Sequence, residues 1–175
     1  FITQVYKWDG KTIRQIKTEF TDTNAEVIDS ALEEALKGDL AAAISELSGL
    51  DYPGNYPFCE AVQQCLKKGH KASFRIRKTT GFMQAATALE NTFELMSEVH
   101  ENCRTSGPEI SPVRPKRWLE TFDHCGIAKS KYVPALHDYG FFLQQAGKNS
   151  KAVRILSVVI SEDPEITVAY LNLAD

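Results

Sequence analysis

The sequence predicts a mainly α protein, with an N-terminal β-hairpin, then antiparallel helical hairpins and a C-terminal helical repeat. Three observations carry this reading. Residues 1–20 are rich in β-branched and aromatic residues around an Asp9-Gly10 pair. From Asn24 onward, apolar residues recur at three- and four-residue spacing in successive segments. Residues 133–175 carry small residues and a proline in a pattern that begins again after 34 positions.

The first strand is expected within Phe1–Trp8. Asp9-Gly10 is a strong turn signal, because a type I′ turn needs positive φ at both central residues. Thr12, Ile13, Ile16 and Thr18 mark a second strand within Lys11–Phe20. A two-stranded hairpin is marginal alone. It has to pack on helices, join further strands or pair with a partner.

Thr23 or Asn24 can cap the first helix, whose stripe is Val27, Ile28, Ala31, Leu32, Ala35 and Leu36. Gly38 suits the left-handed position after its end. Asp39 can cap a second helix through Leu40, Ala43, Ile44 and Leu47, closed by Gly49, and the short link implies an antiparallel pair. The loop Asp51–Pro57 (DYPGNYP) leads to a helix expected from Phe58 to about Lys68, ending near Gly69. Residues 71–78 read equally as a strand or an extended link. A long helix follows over about Gly81–Cys103, striped by Phe82, Ala85, Ala86, Leu89, Phe93, Met96 and Val99.

Arg104–Pro115 (RTSGPEISPVRP) holds three prolines, a glycine and no periodicity. It is the expected linker, over residues 105–115, between a helical region at 21–104 and another at 116–175. A short helix is expected over Pro115–His124, with Trp118, Leu119 and Phe122 on one side.

Composition bounds the function. At 43% hydrophobic and 25% charged residues, the chain can bury a core in water. A net charge of −3 excludes a global attraction to nucleic acid or anionic membrane. No apolar run reaches the roughly 18 residues that a membrane span needs. The chain opens on Phe1 rather than Met, so a missing signal segment says nothing about export.

Cys59 and Cys65 would lie about 120° apart around a shared helix and could not bridge each other there. A Cys103–Cys125 disulfide would close the loop over the linker. Buried free thiols are the other reading. The even count of four places a periplasmic or secreted location slightly ahead of a cytoplasmic one.

No catalytic residue is expected, since no glycine-rich phosphate loop, HExxH or GxSxG is present. The carboxylates default to solvated helix faces. His100, Cys103, Asp123, His124 and Cys125 match no standard ligand spacing, so neither a metal nor a cofactor is expected. The segment Lys67–Lys78 (KKGHKASFRIRK) has six basic residues and no acid. Lys71, Arg75, Arg77 and Lys78 are its candidate basic contacts. Thin aromatic interleaving in an acidic chain argues against nucleic acid and leaves a solvated face or an acidic protein partner.

The segment VPALHDYGFFLQQAGKNSKAVRILSVVISEDP, from Val133 to Pro164, resembles the tetratricopeptide repeat family. Leu136, the Tyr139-Gly140 pair, Gly147, Ala152 and Pro164 take the family's positions. Leu143, Leu156 and Val159 depart from its usual residues. A shift of 34 residues takes Leu136 to Tyr170, Tyr139 to Leu173 and Gly140 to Ala174, so a second unit is expected to begin there and either continue or end in a capping helix. The resemblance implies a protein-binding concave face at Pro134, His137, Phe141, Gln144, Val168 and Leu171. Among these, His137, Phe141, Gln144 and Leu171 are the candidate partner-binding residues. The function expected is non-catalytic protein–protein interaction, either as an adaptor or as a dedicated immunity or inhibitor protein that neutralises a secreted toxin or enzyme. A wall hydrolase ranks third, because it needs two acids facing one cleft.

Overall fold

The computed structural model describes residues 2–8, 10–20, 23–47, 55–103 and 113–174. Most of the described chain is helical. Strands β1 (Ile2–Trp8) and β2 (Ile13–Phe20) pair antiparallel, with an irregularity between Val5 and Tyr6. Trp8 pairs with Ile13, and Asp9 of the expected turn lies outside the described residues. Gly10 supplies a φ of +93° within that turn. Tyr6, Trp8 and Ile13 are exposed.

Helices α1 (Thr23–Lys37) and α2 (Leu40–Leu47) form the first helical pair. Gly38, at φ +101°, ends α1. The Asp39 carboxylate accepts the Ala42 N–H at 2.9 Å and caps α2. Ile28, Ala31, Leu32 and Ala35 of α1 are buried at the expected spacing.

The next helix corrects the sequence reading. α3 runs unbroken over Asn55–Thr79, and it ends neither at Lys68 nor in a strand over 71–78. Gly69 is buried in its interior. A Cβ placed there would lie 2.5 Å from Thr92 Cγ2 on α4 (Phe82–Cys103). The missing side chain therefore brings two helix axes together, and the cost of an interior glycine is offset by that contact.

α4 is the hub. It packs against α1, α2 and α3, and against α5 (Lys116–His124) and α6 (Lys129–Gln145). Its buried surface extends beyond the expected stripe to Ala88, Thr92, Leu95 and Ser97. The Thr92 and Ser97 hydroxyls donate to the carbonyls of Ala88 and Phe93, so the polar groups on this buried helix are satisfied. Residues 104–112 of the expected linker lie outside the described residues. The helices on its two sides share one core: the Phe93 ring lies 4.8 Å from Trp118, 6.4 Å from Phe122 and 5.9 Å from Tyr139.

α6 and α7 (Asn149–Glu162) form a second helical pair, turned at Gly147 with φ +72°. A Cβ on Gly140 would lie 2.8 Å from Leu156 Cδ2, so the two helices meet closely at that residue. Ala152, Ile155, Leu156 and Val159 are the buried face of α7. At the far end of the pair, the Tyr132 hydroxyl donates to Glu162 Oε2 at 2.8 Å and Lys129 Nζ donates to the Glu162 carbonyl at 2.8 Å. α8 (Thr167–Ala174) follows Pro164, buries Ala169 and leans on both α7 and α6.

Candidate functional site

Of the residues expected to bind a partner, His137, Phe141 and Gln144 fall on one strip of α6, and Leu171 lies on α8 beyond it. Two neighbouring side chains show the arrangement. Asp138 reaches toward α3, with its Oδ2 3.1 Å from His70 Nδ1, close enough for an ion pair but off the hydrogen-bonding direction. His137 reaches toward α8, where its Nε2 lies 3.1 Å from Asn172 Nδ2. His137 Nδ1 is also 3.5 Å from Asp138 Oδ1, so one carboxylate faces two imidazoles. Gln144 donates to the Asn172 carbonyl at 2.8 Å, while its own Oε1 is buried with no hydrogen-bond partner among the described residues.

Phe142 is fully buried, and Phe141 is half-buried with its ring edge-on to Phe82 at 6.0 Å. Three of the four candidates, His137, Phe141 and Gln144, are thus partly occupied by contacts inside the molecule. The fourth, Leu171, is 61% exposed, and Val168 is 52% exposed. At 100° per residue, Val168 stands about 40° and Leu171 about 100° from Asn172 around α8, on the side away from Ala169. They therefore continue the surface outward from the α6 strip.

The basic candidates divide. Arg77 is laid over aromatic rings, its guanidinium carbon 4.9 Å from the Phe74 centroid and 5.9 Å from that of Phe142. Phe74 also meets His70 edge-on at 5.4 Å. Lys71, Arg75 and Lys78 are exposed, as is Lys67. None of these four side chains has a carboxylate partner among the described residues. Lys68, next to them, is paired with Asp29.

The carboxylates of α4 correct the expectation of a solvated face. Glu94 has a side chain only 6% exposed; it accepts from Trp118 Nε1 at 3.0 Å and Arg117 Nη2 at 2.8 Å, and it forms an ion pair with Arg114 Nε at 2.8 Å. Glu90 pairs with Arg114 at 2.9 Å and Lys151 at 2.7 Å. Glu98 and Glu101 lie 3.4 and 3.6 Å from Arg117. Desolvation, then the charge of Glu101, raises the Glu98 carboxyl above its ordinary range. The Tyr139 phenol is buried beside Glu90 without a hydrogen bond of good geometry, and desolvation first and that carboxylate second push its ionisation up. Glu94, Glu98 and Glu101 tie α5 to α4, and Glu90 reaches Lys151 of α7.

Cys59 and Cys65 are both unpaired thiols of α3. Burial pushes the Cys65 thiol up to about 12. The Cys103 side chain lies outside the described residues, so the Cys103–Cys125 pairing stays an expectation. His100 and His124 bring their rings within 4.7 Å, and Thr121 Oγ1 is 3.4 Å from His100 Nδ1. Among the described residues, no group of three His, Cys, Asp or Glu side chains could hold a metal ion. No described helix is long and apolar enough to cross a membrane.

Sequence reasoning missed His70, Asp138 and Asn172. They lie far apart in the chain and belong to no motif, so no sequence signal joins them. No family model, curated protein or solved structure matches this chain.

Proposed function

We propose that this protein is a non-catalytic protein-recognition module whose binding surface is the α6 strip together with the outer side of α8. The observation that carries the reading is the exposure of Val168 and Leu171 on α8, the helix whose Asn172 is tied to His137 and Gln144 of α6. Apolar side chains next to polar ones such as His137 and Gln144 suit a protein contact, where a few buried anchors supply most of the affinity. The resemblance of residues 133–175 to tetratricopeptide repeats points the same way, since that family binds through these positions. The close approach of α6 and α7 at Gly140 is compatible with it.

The test is capture of a partner by the full-length protein from a soluble extract of its native source, followed by cross-linking and reconstitution with the purified partner. The reading expects a complex of fixed stoichiometry that Val168→Glu/Leu171→Glu abolishes while circular dichroism stays unchanged. Equal binding by the double variant would overturn it. One tight partner would identify a dedicated inhibitor, and loose binding to many peptides an adaptor.

A further inference from the structure

We infer that the outer face of α3 docks an acidic helical segment of a protein partner. This deepens the recognition reading above and rests on it, but it concerns a different helix and a different kind of contact.

The first ground is an imbalance of charge use. The chain carries 23 acidic and 20 basic residues, so cations are the scarcer charge. Even so, Lys67, Lys71, Arg75 and Lys78 stand exposed with no carboxylate partner among the described residues. Nearby cations are engaged: Lys68 pairs with Asp29, and Arg77 covers Phe74. The α4 carboxylates Glu90 and Glu94 are held elsewhere, by Arg114, Arg117 and Lys151.

The second ground is spacing. At about 100° and 1.5 Å per residue, Lys67, Lys71 and Lys78 fall within about 40° around the axis, and Arg75 borders them. The row is about 16 Å long, with steps of roughly 6 Å between residues four apart. A helix with glutamates four residues apart has the same step. The molecule already contains that pairing, because Glu90, Glu94 and Glu98 of α4 are spaced in this way and interleave with Arg114 and Arg117.

The third ground separates a protein from a nucleic acid. Recognition of single-stranded nucleic acid uses exposed aromatic rings between the cations. The only aromatic residue within the row is Phe74, and its ring is packed against His70, Phe142 and Arg77. The net charge of −3 also opposes a polyanion at long range, whereas a short acidic helix meets the local row alone.

The test uses the full chain and three probes at one salt concentration: a helical peptide with Glu at three positions four residues apart, the same peptide with Gln there, and a short DNA duplex. Binding is read by fluorescence anisotropy. The Glu peptide should bind at least about tenfold more tightly than the Gln peptide and the duplex, and should weaken as salt rises. Lys71→Glu/Arg75→Glu/Lys78→Glu should reduce its affinity by about tenfold or more, with near-UV circular dichroism showing a folded protein. No binding of the Glu peptide, equal binding of the Gln peptide, preference for the duplex, or an unaffected charge-reversal variant would each overturn the inference. A captured partner lost by Val168→Glu/Leu171→Glu but kept by the charge reversal would leave the α8 surface standing and overturn the α3 assignment alone.

Discussion

The two long helices, α3 and α4, lie against each other and carry charge in opposite ways. On α4 the carboxylates at 90, 94, 98 and 101 all meet cations, and Glu94 is nearly buried between Trp118 and two arginines. On α3 the cations at 67, 71, 75 and 78 meet no carboxylate among the described residues. The difference is one of burial. Charges within the fold are paired because a lone buried ion is costly, whereas an exposed cation can stay solvated at little cost. The α4 carboxylates therefore report on folding, whereas Lys67, Lys71, Arg75 and Lys78 of α3 stand solvated outside it.

The strongest way to break this comparison is to remove the paired charge. Glu94→Ala should lose about 2–4 kcal/mol in urea unfolding, because the Trp118 N–H would be left buried without its acceptor and Arg117 would keep only its longer contacts to Glu98 and Glu101. A loss below about 1 kcal/mol would show that the α4 carboxylates are ordinary surface acids.

The seam between the helices comes next. Gly69→Ala should cost about 1–3 kcal/mol, since its Cβ would fall 2.5 Å from Thr92 Cγ2 and 2.6 Å from Thr92 Oγ1. Thr92→Ala in the same protein should recover part of the loss. A gain in stability from Gly69→Ala alone, as helix propensity would give, would place the α3–α4 contact wrongly.

A chemical probe separates the two faces of α3. Cys65 is buried and its thiol is pushed up to about 12, so at pH 8 it should resist iodoacetamide in the folded protein and react once urea unfolds it. Mass spectrometry of labelled peptides reads this directly. The same denatured, non-reduced sample counts thiols, and four free thiols would remove the exported, disulfide-linked version of the protein.

The smallest effect concerns Glu98. Its folded carboxyl titrates above its free value, so the folded state holds the proton more tightly and stability falls as pH rises through that interval. Glu98→Gln should therefore gain stability at pH 7 relative to pH 4, by about a few tenths of a kcal/mol after solvent screening. Thermal unfolding at the two pH values checks the sign.

Much of the helical arrangement is legible in the sequence because local chemistry decides it. Ile28, Ala31, Leu32 and Ala35 are spaced for one face, Gly38 ends the helix at positive φ, and Asp39 caps the next. Gly69 misled the reading because a glycine that breaks a helix and one that admits a neighbouring helix look alike until the neighbour is known. Glu94 was hidden for a related reason. A carboxylate on an amphipathic helix normally faces water, and only the arrival of α5 with Arg114, Arg117 and Trp118 buries it. The α6 strip was partly legible, as His137, Phe141 and Gln144 do share a face. Their ties to Phe82 and Asn172 depend on helices whose placement spacing alone does not determine.

The carboxylates of α4 hold the fold, whereas Lys67, Lys71, Arg75 and Lys78 on the outer side of α3 do not. The direct measurement is the urea-unfolding free energy of Lys71→Ala/Arg75→Ala/Lys78→Ala, taken beside wild type and Glu94→Ala in one buffer. The triple variant should match wild type within about 0.5 kcal/mol while Glu94→Ala falls far below both. A triple variant as unstable as Glu94→Ala would mean that the α3 cations hold the fold too, and would contradict the account.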